Sequence, residues 1–294
     1  STRPGASSCT SDSVPPPVTE NTPPSGRATR GRGRTTPNPL VGAVVVAVIA
    51  VLANQPQSIL QSAAPALSEL RQTGDRARLF QVSAALSQAT LAASGLVACI
   101  VIGVNQGFVA WWVGPDQFAG VGLTLLMVAA MVTRHFNTTN VYALFCFGHE
   151  RRLALTALAD GVVTIGAGIV LIATFGMTGG PLAALVAVLV VSIPLNLKAL
   201  SVETGVGRPA LVAALAPWAS RFVVIAGVLV AAGPFIRPAT FVALGLTVVI
   251  VGAIYAAAVA SPVLHSPAGV YLQPLLARAG RRLTPARLRP RWLN

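Results

Sequence analysis

Long apolar runs recur along the chain from Leu40 onward, separated by short polar stretches or by stretches rich in Gly and Pro. A helix rises about 1.5 Å per residue, so about 20 apolar residues cross a hydrocarbon layer of about 30 Å. The pattern therefore predicts an all-α fold, a polytopic transmembrane helical bundle of about seven helices. The seven runs cover residues 40–62, 83–107, 118–147, 153–175, 178–199, 210–234 and 238–261.

The link between the first two runs, SELRQTGDRARLF at residues 68–80, is too polar to cross a membrane. Its pattern predicts a short helix at the membrane interface, a turn at Thr73 and Gly74, and then the start of the second run. Gly and Asp are residues that turns favour.

Composition divides the chain into three parts. Residues 1–38 are rich in Pro, Gly, Ser, Thr and Arg and lack an apolar run, so we expect a disordered tail and not a targeting peptide. Residues 39–261 form the predicted transmembrane domain, and residues 262–294 form a basic tail. Hydrophobic residues make up 54% of the 294 and charged residues only 10%, with a mean hydropathy of +0.71. These values favour a membrane protein over a soluble one.

Basic residues alternate between the predicted loops. The chain has 21 Lys and Arg against 8 Asp and Glu, but the excess lies in loops and ends, which argues against a nucleic-acid partner. Basic residues concentrate in every second loop and in the carboxyl tail, whereas the intervening loops hold only Arg237. The positive-inside rule therefore predicts a multi-pass protein of the cell inner (cytoplasmic) membrane with a cytoplasmic carboxyl end. The basic loop residues are Arg71, Arg76, Arg78, Arg151, Arg152, Lys198 and Arg208.

Seven spans would place the Arg-rich amino tail outside, against the positive-inside rule. Three explanations are open: the first run is not a full span, the tail is exported, or the chain is the end of a longer protein. We favour the last.

Three passages resemble the second half of a polysaccharide or lipid-linked oligosaccharide flippase of the MATE-like (MOP) exporter superfamily. The first is SAAPALSELRQTGDRARLF, similar to the cytoplasmic segment after the second helix of a lobe. The second is GFVAWWVGPDQFAG, similar to the next external loop. The third, FGHERRLALTALADGVVTIGAGIVLIATFGMTGGPLAALVA, resembles a helix pair of the family, although the family often has Asn where Thr164 stands. The resemblance covers about residues 55–200.

The resemblance implies one lobe of a two-lobe transporter, with the first lobe and the first helix of the second lobe absent. It implies a flippase that translocates a lipid-linked oligosaccharide or polysaccharide precursor across the cytoplasmic membrane, in polysaccharide or lipopolysaccharide biosynthesis. The implied partners are the lipid-linked saccharide, membrane lipids and other glycan-assembly membrane proteins, and no cofactor is implied. We expect this polypeptide to be a truncated form.

Arg134 interrupts the third apolar run, in VAAMVTRHFNTTN at residues 128–140. At about 100° per residue, Thr133, Arg134, Asn137 and Asn140 share an arc of about 120°, whereas His135 points away. Arg134 lies about 20 Å from the predicted cytoplasmic end of its helix. A charge at that depth costs at least about 2.5 kcal/mol on insertion scales, so Arg134 should face protein, a partner or water.

Two residues could accompany Arg134. Asp160 belongs to a stripe on the next helix with Thr156, Thr164 and Gly168. Arg221, in the sixth run, has nearly the same depth as Arg134. One hypothesis is that Arg134, Asn137, Asn140, Asp160 and Arg221 line an aqueous cleft that binds the pyrophosphate or acidic sugars of the substrate. The alternative is an Arg134–Asp160 ion pair that fixes the packing of two helices.

Other polar residues point to packing rather than chemistry. We predict that Gln88, Asn105 and Asn196 form hydrogen bonds between helices, and that Cys99 and Cys146 pack as small apolar residues. The scattered His and acidic residues predict neither an enzyme nor a metal site. Three functions other than a flippase stay open: a small-molecule exporter of the same superfamily, a membrane-embedded enzyme of glycan assembly, and an inactive half-protein.

Overall fold

A computed structural model describes residues 60–264, apart from residues 62, 64, 66, 236, 237 and 239. The predicted tail at 1–38 lies outside the described residues, as do nearly all of the first run at 40–62 and the basic tail from residue 265. Within the described residues every regular element is a helix. The all-α prediction is therefore confirmed for this part of the chain.

The helices follow the order of the apolar runs. We number them α1 (residues 67–73), α2 (Arg76–Trp112), α3 (Val121–Cys146), α4 (Glu150–Phe175), α5 (Gly179–Ala187), α6 (Ile193–Thr204), α7 (Arg208–Ala213), α8 (Ala216–Ala232) and α9 (Phe241–Leu264). A π-helical turn, Val188–Ser192, joins α5 to α6, and short 3₁₀ turns lie at Pro115–Gln117 and Gly176–Thr178.

The start of α2 lies seven residues before the predicted start at residue 83. Gly74 takes a left-handed conformation with φ of 72°, and the Asp75 carboxylate accepts a hydrogen bond from the Arg78 backbone N–H at 3.0 Å. This capping interaction lets the polar residues after Asp75 form the first turns of the helix. The predicted turn at Thr73 and Gly74 is confirmed.

Two of the predicted runs are not single α-helices, and each irregularity lies beside a proline. The run at 210–234 divides into α7 and α8 at Ala214 and Leu215, and Pro217 lies in the first turn of α8. The run at 178–199 contains the π-helical turn, which ends two residues before Pro194. A proline lacks the N–H that would continue the helix and its ring displaces a preceding carbonyl, so both sites are natural places for a change of geometry.

Among the described residues, three helical stretches are long and apolar enough to cross a membrane: Arg76–Trp112, Glu150–Thr204 and Phe241–Ala260. The second has 55 residues and folds back on itself, so it contains two of the predicted runs. Ala216–Ala232 is a shorter apolar helix, and α3 carries the polar residues around Arg134. These helices indicate membrane association, whereas the count of seven spans stays a prediction.

Helix α2 packs against α3, α8 and α9. Its contacts belong to two hydrophobic clusters. The first includes Leu67, Leu79, Val82, Ala143, Leu144, Phe147, Leu153, Leu197 and Leu200. The second includes Leu91, Cys99, Leu215, Trp218, Val251, Tyr255 and Val259.

Two consecutive hydrogen bonds connect α8, α9 and α2 within the second cluster. The Trp218 indole N–H donates to the Tyr255 hydroxyl at 2.9 Å, and that hydroxyl donates to the Ala92 carbonyl at 2.9 Å. A Cβ at Gly95 would overlap the Tyr255 hydroxyl, so glycine permits this close approach of α9 to α2.

Three polar loops meet at one end of the bundle. The Glu203 carboxylate lies 2.6 Å from Nε2 of His149 and 3.7 Å from Nε of Arg71. The ends of α1, α3 and α6 are thereby joined, and Gly205 lies beside the side chain of Arg76. The charge pattern predicted that these loops share one side, and the structure confirms that they share one end. The assignment of this end to the cytoplasmic face of the membrane stays a prediction.

Candidate functional site

Arg134 and Asp160 form an ion pair between α3 and α4. Nη1 of Arg134 lies 3.2 Å from Oδ2 of Asp160, and the Ser192 hydroxyl donates to Oδ1 of the same carboxylate at 2.9 Å. The Asp160 side chain is only 9% exposed, whereas the Arg134 side chain is 42% exposed. The carboxylate is therefore fixed from two helical elements, and the guanidinium is open on one side.

The stripe on α4 that contains Asp160 faces the protein, as its spacing predicts. Thr156, Asp160 and Gly168 are buried and Thr164 is half-buried. Large apolar side chains on the opposite face of α4 are exposed. This division of polar and apolar faces is the reverse of that in a water-soluble helix and suits a lipid environment.

A pair of asparagines extends the polar contacts from α3 to α6. The Asn196 Nδ2 group donates to Oδ1 of Asn137 at 3.0 Å, and both side chains are buried. Asn140, one helical turn further along α3, is also buried, and its Nδ2 has no hydrogen-bond partner among the described residues. Oδ1 of Asn196 also has no hydrogen-bond partner in the described part of the chain, so one buried donor and one buried acceptor stay unsatisfied beside the Asn137–Asn196 bond.

Ser192 is the site residue that the sequence analysis missed. It is the last residue of the π-helical turn, and it lies four residues before Asn196. Residues four apart on a helix share a face, so Ser192 meets Asp160 while Asn196 meets Asn137. The two polar residues at this spacing in the apolar run VLVVSIPLNL were the available signal.

His135 faces a different helix from Arg134, as predicted. Its Nδ1 lies 2.7 Å from the Ser94 hydroxyl on α2. Thr133 bonds within its own helix, donating to the Ala129 carbonyl at 2.7 Å. The residues in the predicted polar arc therefore divide between half-buried positions, Thr133 and Arg134, and buried positions, Asn137 and Asn140.

Arg221 makes its described hydrogen bond within α8, where Nη1 donates to the Pro217 carbonyl at 2.9 Å. The described contacts do not join Arg221 to Arg134. A cleft shared by the two guanidinium groups stays a prediction.

The interhelical role predicted for three polar residues is confirmed. Gln88 donates to the Ala214 carbonyl at 2.9 Å, Asn105 donates to the Thr124 hydroxyl at 2.8 Å, and Asn196 pairs with Asn137. The two cysteines also pack as expected. Cys99 is buried in the second cluster and Cys146 packs against the first.

No protein-family model, curated protein or solved structure matched the chain. Membership of the MOP superfamily therefore stays an expectation from the three sequence passages. Within the described residues no group of three or more His, Cys, Asp or Glu side chains is placed to hold a metal ion.

Proposed function

We propose that the chain is one lobe of a membrane flippase that moves a lipid-linked oligosaccharide or polysaccharide precursor, with Arg134 and Asp160 in its substrate cleft. The observation that carries the proposal is the open guanidinium near the middle of α3, a helix of 26 residues. Acyl chains would be a costly environment for an arginine so exposed at that depth. Arg134 therefore faces water or a second polar protein surface.

The chemistry of the pair suits an anionic substrate. Asp160 contacts only one of the guanidinium nitrogens of Arg134, so the remaining N–H groups are available to phosphate oxygens. The fork of the guanidinium matches phosphate geometry better than an ammonium would. In this proposal Asp160 and Ser192 orient Arg134, and the pyrophosphate of the lipid-linked saccharide approaches its exposed side. Rocking of two lobes about the cleft would then expose the substrate to each side in turn.

A second candidate function for the pair is packing alone. The burial of Asp160 and its hydrogen bond to Ser192 favour this interpretation, because a satisfied carboxylate needs no further partner. Under that interpretation Arg134 is shielded by another protein surface and contacts no substrate.

The two candidate functions are separated by measuring translocation in cells that lack the chain, after the wild-type chain or a variant has been supplied to them. We expect the wild-type chain to clear the accumulated lipid-linked intermediate, and Arg134→Gln to reduce clearance by about tenfold at equal folded yield. Arg78→Gln removes the same charge at an end of the bundle and should clear it normally, and Arg221→Gln tests the second guanidinium separately. Normal clearance by Arg134→Gln would assign the pair to packing. Failure of the wild-type chain to clear any intermediate would contradict the flippase.

The arrangement of the chain in the membrane can be measured separately. We expect cysteines at Glu150 and Arg208 to react with an impermeant thiol reagent from the same side of intact cells, because their loops share one end of the bundle. A cysteine at Asp116, which lies between α2 and α3 at the far end of α2, should react from the other side. Reaction of Glu150→Cys and Arg208→Cys from opposite sides would exclude this placement.

A further inference from the structure

A basic cleft lies where α4 begins, apart from the Arg134 site. It has a volume of about 310 Å³ and is lined by Gly148, His149, Arg151, Arg152 and Leu155. Two arginines therefore border one small space at the end of the bundle that the charge pattern assigns to the cytoplasm.

Arg152, which lines this cleft, has an unsatisfied donor. Its Nη2 donates to the Leu195 carbonyl of α6, whereas its Nη1 is buried and has no hydrogen-bond partner among the described residues. A buried guanidinium nitrogen without an acceptor is uncommon, and an anionic oxygen would satisfy it.

The local charge favours an anion. The Glu203 carboxylate contacts the lining residue His149, and it already contacts Arg71 as well. Glu150 lies in the first turn of α4 and is exposed. Arg151 is exposed beside it, so the positive charge of the arginines is not cancelled inside the cleft.

An apolar strip runs along α4 from the cleft. Five of its side chains are 61% to 70% exposed and follow one another at intervals of three and four residues, which places them on one face. The strip spans about 21 Å, more than the roughly 15 Å of one leaflet in a hydrocarbon core of about 30 Å. Its residues are Leu155, Leu158, Val162, Ile165 and Ile169.

We propose that this cleft binds the phosphodiester of an anionic phospholipid, with an acyl chain along the apolar strip of α4. Arg151 and Arg152 contact the phosphate, and Leu155 marks the change from headgroup to hydrocarbon. Basic pockets of this kind at the cytoplasmic ends of membrane helices suit anionic headgroups. The inference rests on the membrane placement in the proposed function, but not on translocation.

Lipid retention by the purified full chain tests the site. The protein is reconstituted in nanodiscs of phosphatidylcholine with a minor fraction of phosphatidylglycerol, extracted into detergent, and its bound lipids are quantified by mass spectrometry. We expect wild-type protein to retain phosphatidylglycerol in excess over the bulk ratio, and Arg151→Gln to lower that enrichment by about fivefold. Arg78→Gln, with the same loss of charge at the same end, should retain the wild-type enrichment.

Arg152→Gln should lower the enrichment as well, but it also removes the contact with Leu195, so its helical content and unfolding midpoint are compared with wild type. The exposed Arg151 keeps the test decisive if the Arg152 variant does not fold.

Enrichment that is absent in wild type, or unchanged in Arg151→Gln, would overturn the proposal. Complete displacement of phosphatidylglycerol by inorganic phosphate would overturn the placement of the acyl chain along α4, because the headgroup phosphate alone would then account for the binding. Arg134→Gln should not alter lipid retention. The lipid site and the proposed translocation can therefore fail independently of each other.

Discussion

Gly179→Ala is expected to lower the free energy of unfolding by about 3 kcal/mol, the upper part of the usual range for overpacking. A Cβ at Gly179 would overlap the backbone of Leu171 and Ile172 in the facing helix α4. Backbone atoms in a helix cannot rotate away as the end of a side chain can. The substitution must therefore separate the two arms of the hairpin that carries both Asp160 and Ser192.

The neighbouring glycine supplies a matched control. Apart from its chain neighbours, a Cβ at Gly180 would meet no heavy atom of the described residues within 4 Å, so Gly180→Ala leaves the contact between the two helices unchanged. Alanine is a better helix former than glycine by about 1 kcal/mol, but Pro181 follows and disfavours a Cβ on the helical residue before it, so this variant should stay close to the wild-type stability. Unfolding in mixed micelles, followed by circular dichroism, compares the two variants directly. Equal midpoints for both would show that the arms are not held as closely as the structure places them.

The sequence predicted this hairpin but not the contact that closes it. The stretch FGMTGGP separates two apolar runs and so predicts a turn, which the structure places at Gly176–Thr178. Either glycine after that turn was an equal candidate for close packing. The choice between them depends on how α5 rotates about its axis against α4, and local composition does not encode that rotation.

Helical periodicity made the polar face of α3 predictable, but it did not identify the residues on other helices that this face contacts. Helical periodicity separates Arg134 from His135, and the two residues do contact different helices, α4 and α2. The contact of Asn137 with Asn196 depends on the register of α6. That register changes at a π-helical turn, which a pattern of apolar residues cannot reveal. Arg221 illustrates the limit, since similar depth on two helices does not place two side chains together.

The alternation of charge between loops predicted which loops lie together at one end of the bundle, which no single residue could have indicated. Alternation of arginines between loops grouped the loops that Glu203 in fact joins through Arg71 and His149. The rule holds because charged groups resist transfer across the membrane, a property of whole loops rather than of particular contacts. It carries no information on which acid pairs with which base.

Arg134→Met is expected to lower the free energy of unfolding by about 2 kcal/mol, because Asp160 would keep its charge in a buried position with Ser192 as its remaining described partner. Losses of about 3 to 5 kcal/mol follow the break of a fully buried pair, and we expect less here because the Arg134 side chain is 42% exposed. Asp160→Asn should have a smaller effect, since the guanidinium left behind is partly open and the carbonyl oxygen of the new amide can still accept from Ser192. Thr133→Ala, on the same helix, should stay within about 0.5 kcal/mol.

The double variant Arg134→Met/Asp160→Asn should recover much of the loss, with a coupling energy of about 1 to 2 kcal/mol. Unfolding of the four proteins in mixed micelles gives the cycle, and strictly additive losses would contradict a direct interaction between the two side chains. The same proteins also decide what the pair does. If the double variant regains stability but not clearance of the lipid-linked intermediate, the guanidinium acts on substrate. If it regains both, the ion pair serves the packing of α3 against α4, because no role for Arg134 would remain beyond neutralising Asp160.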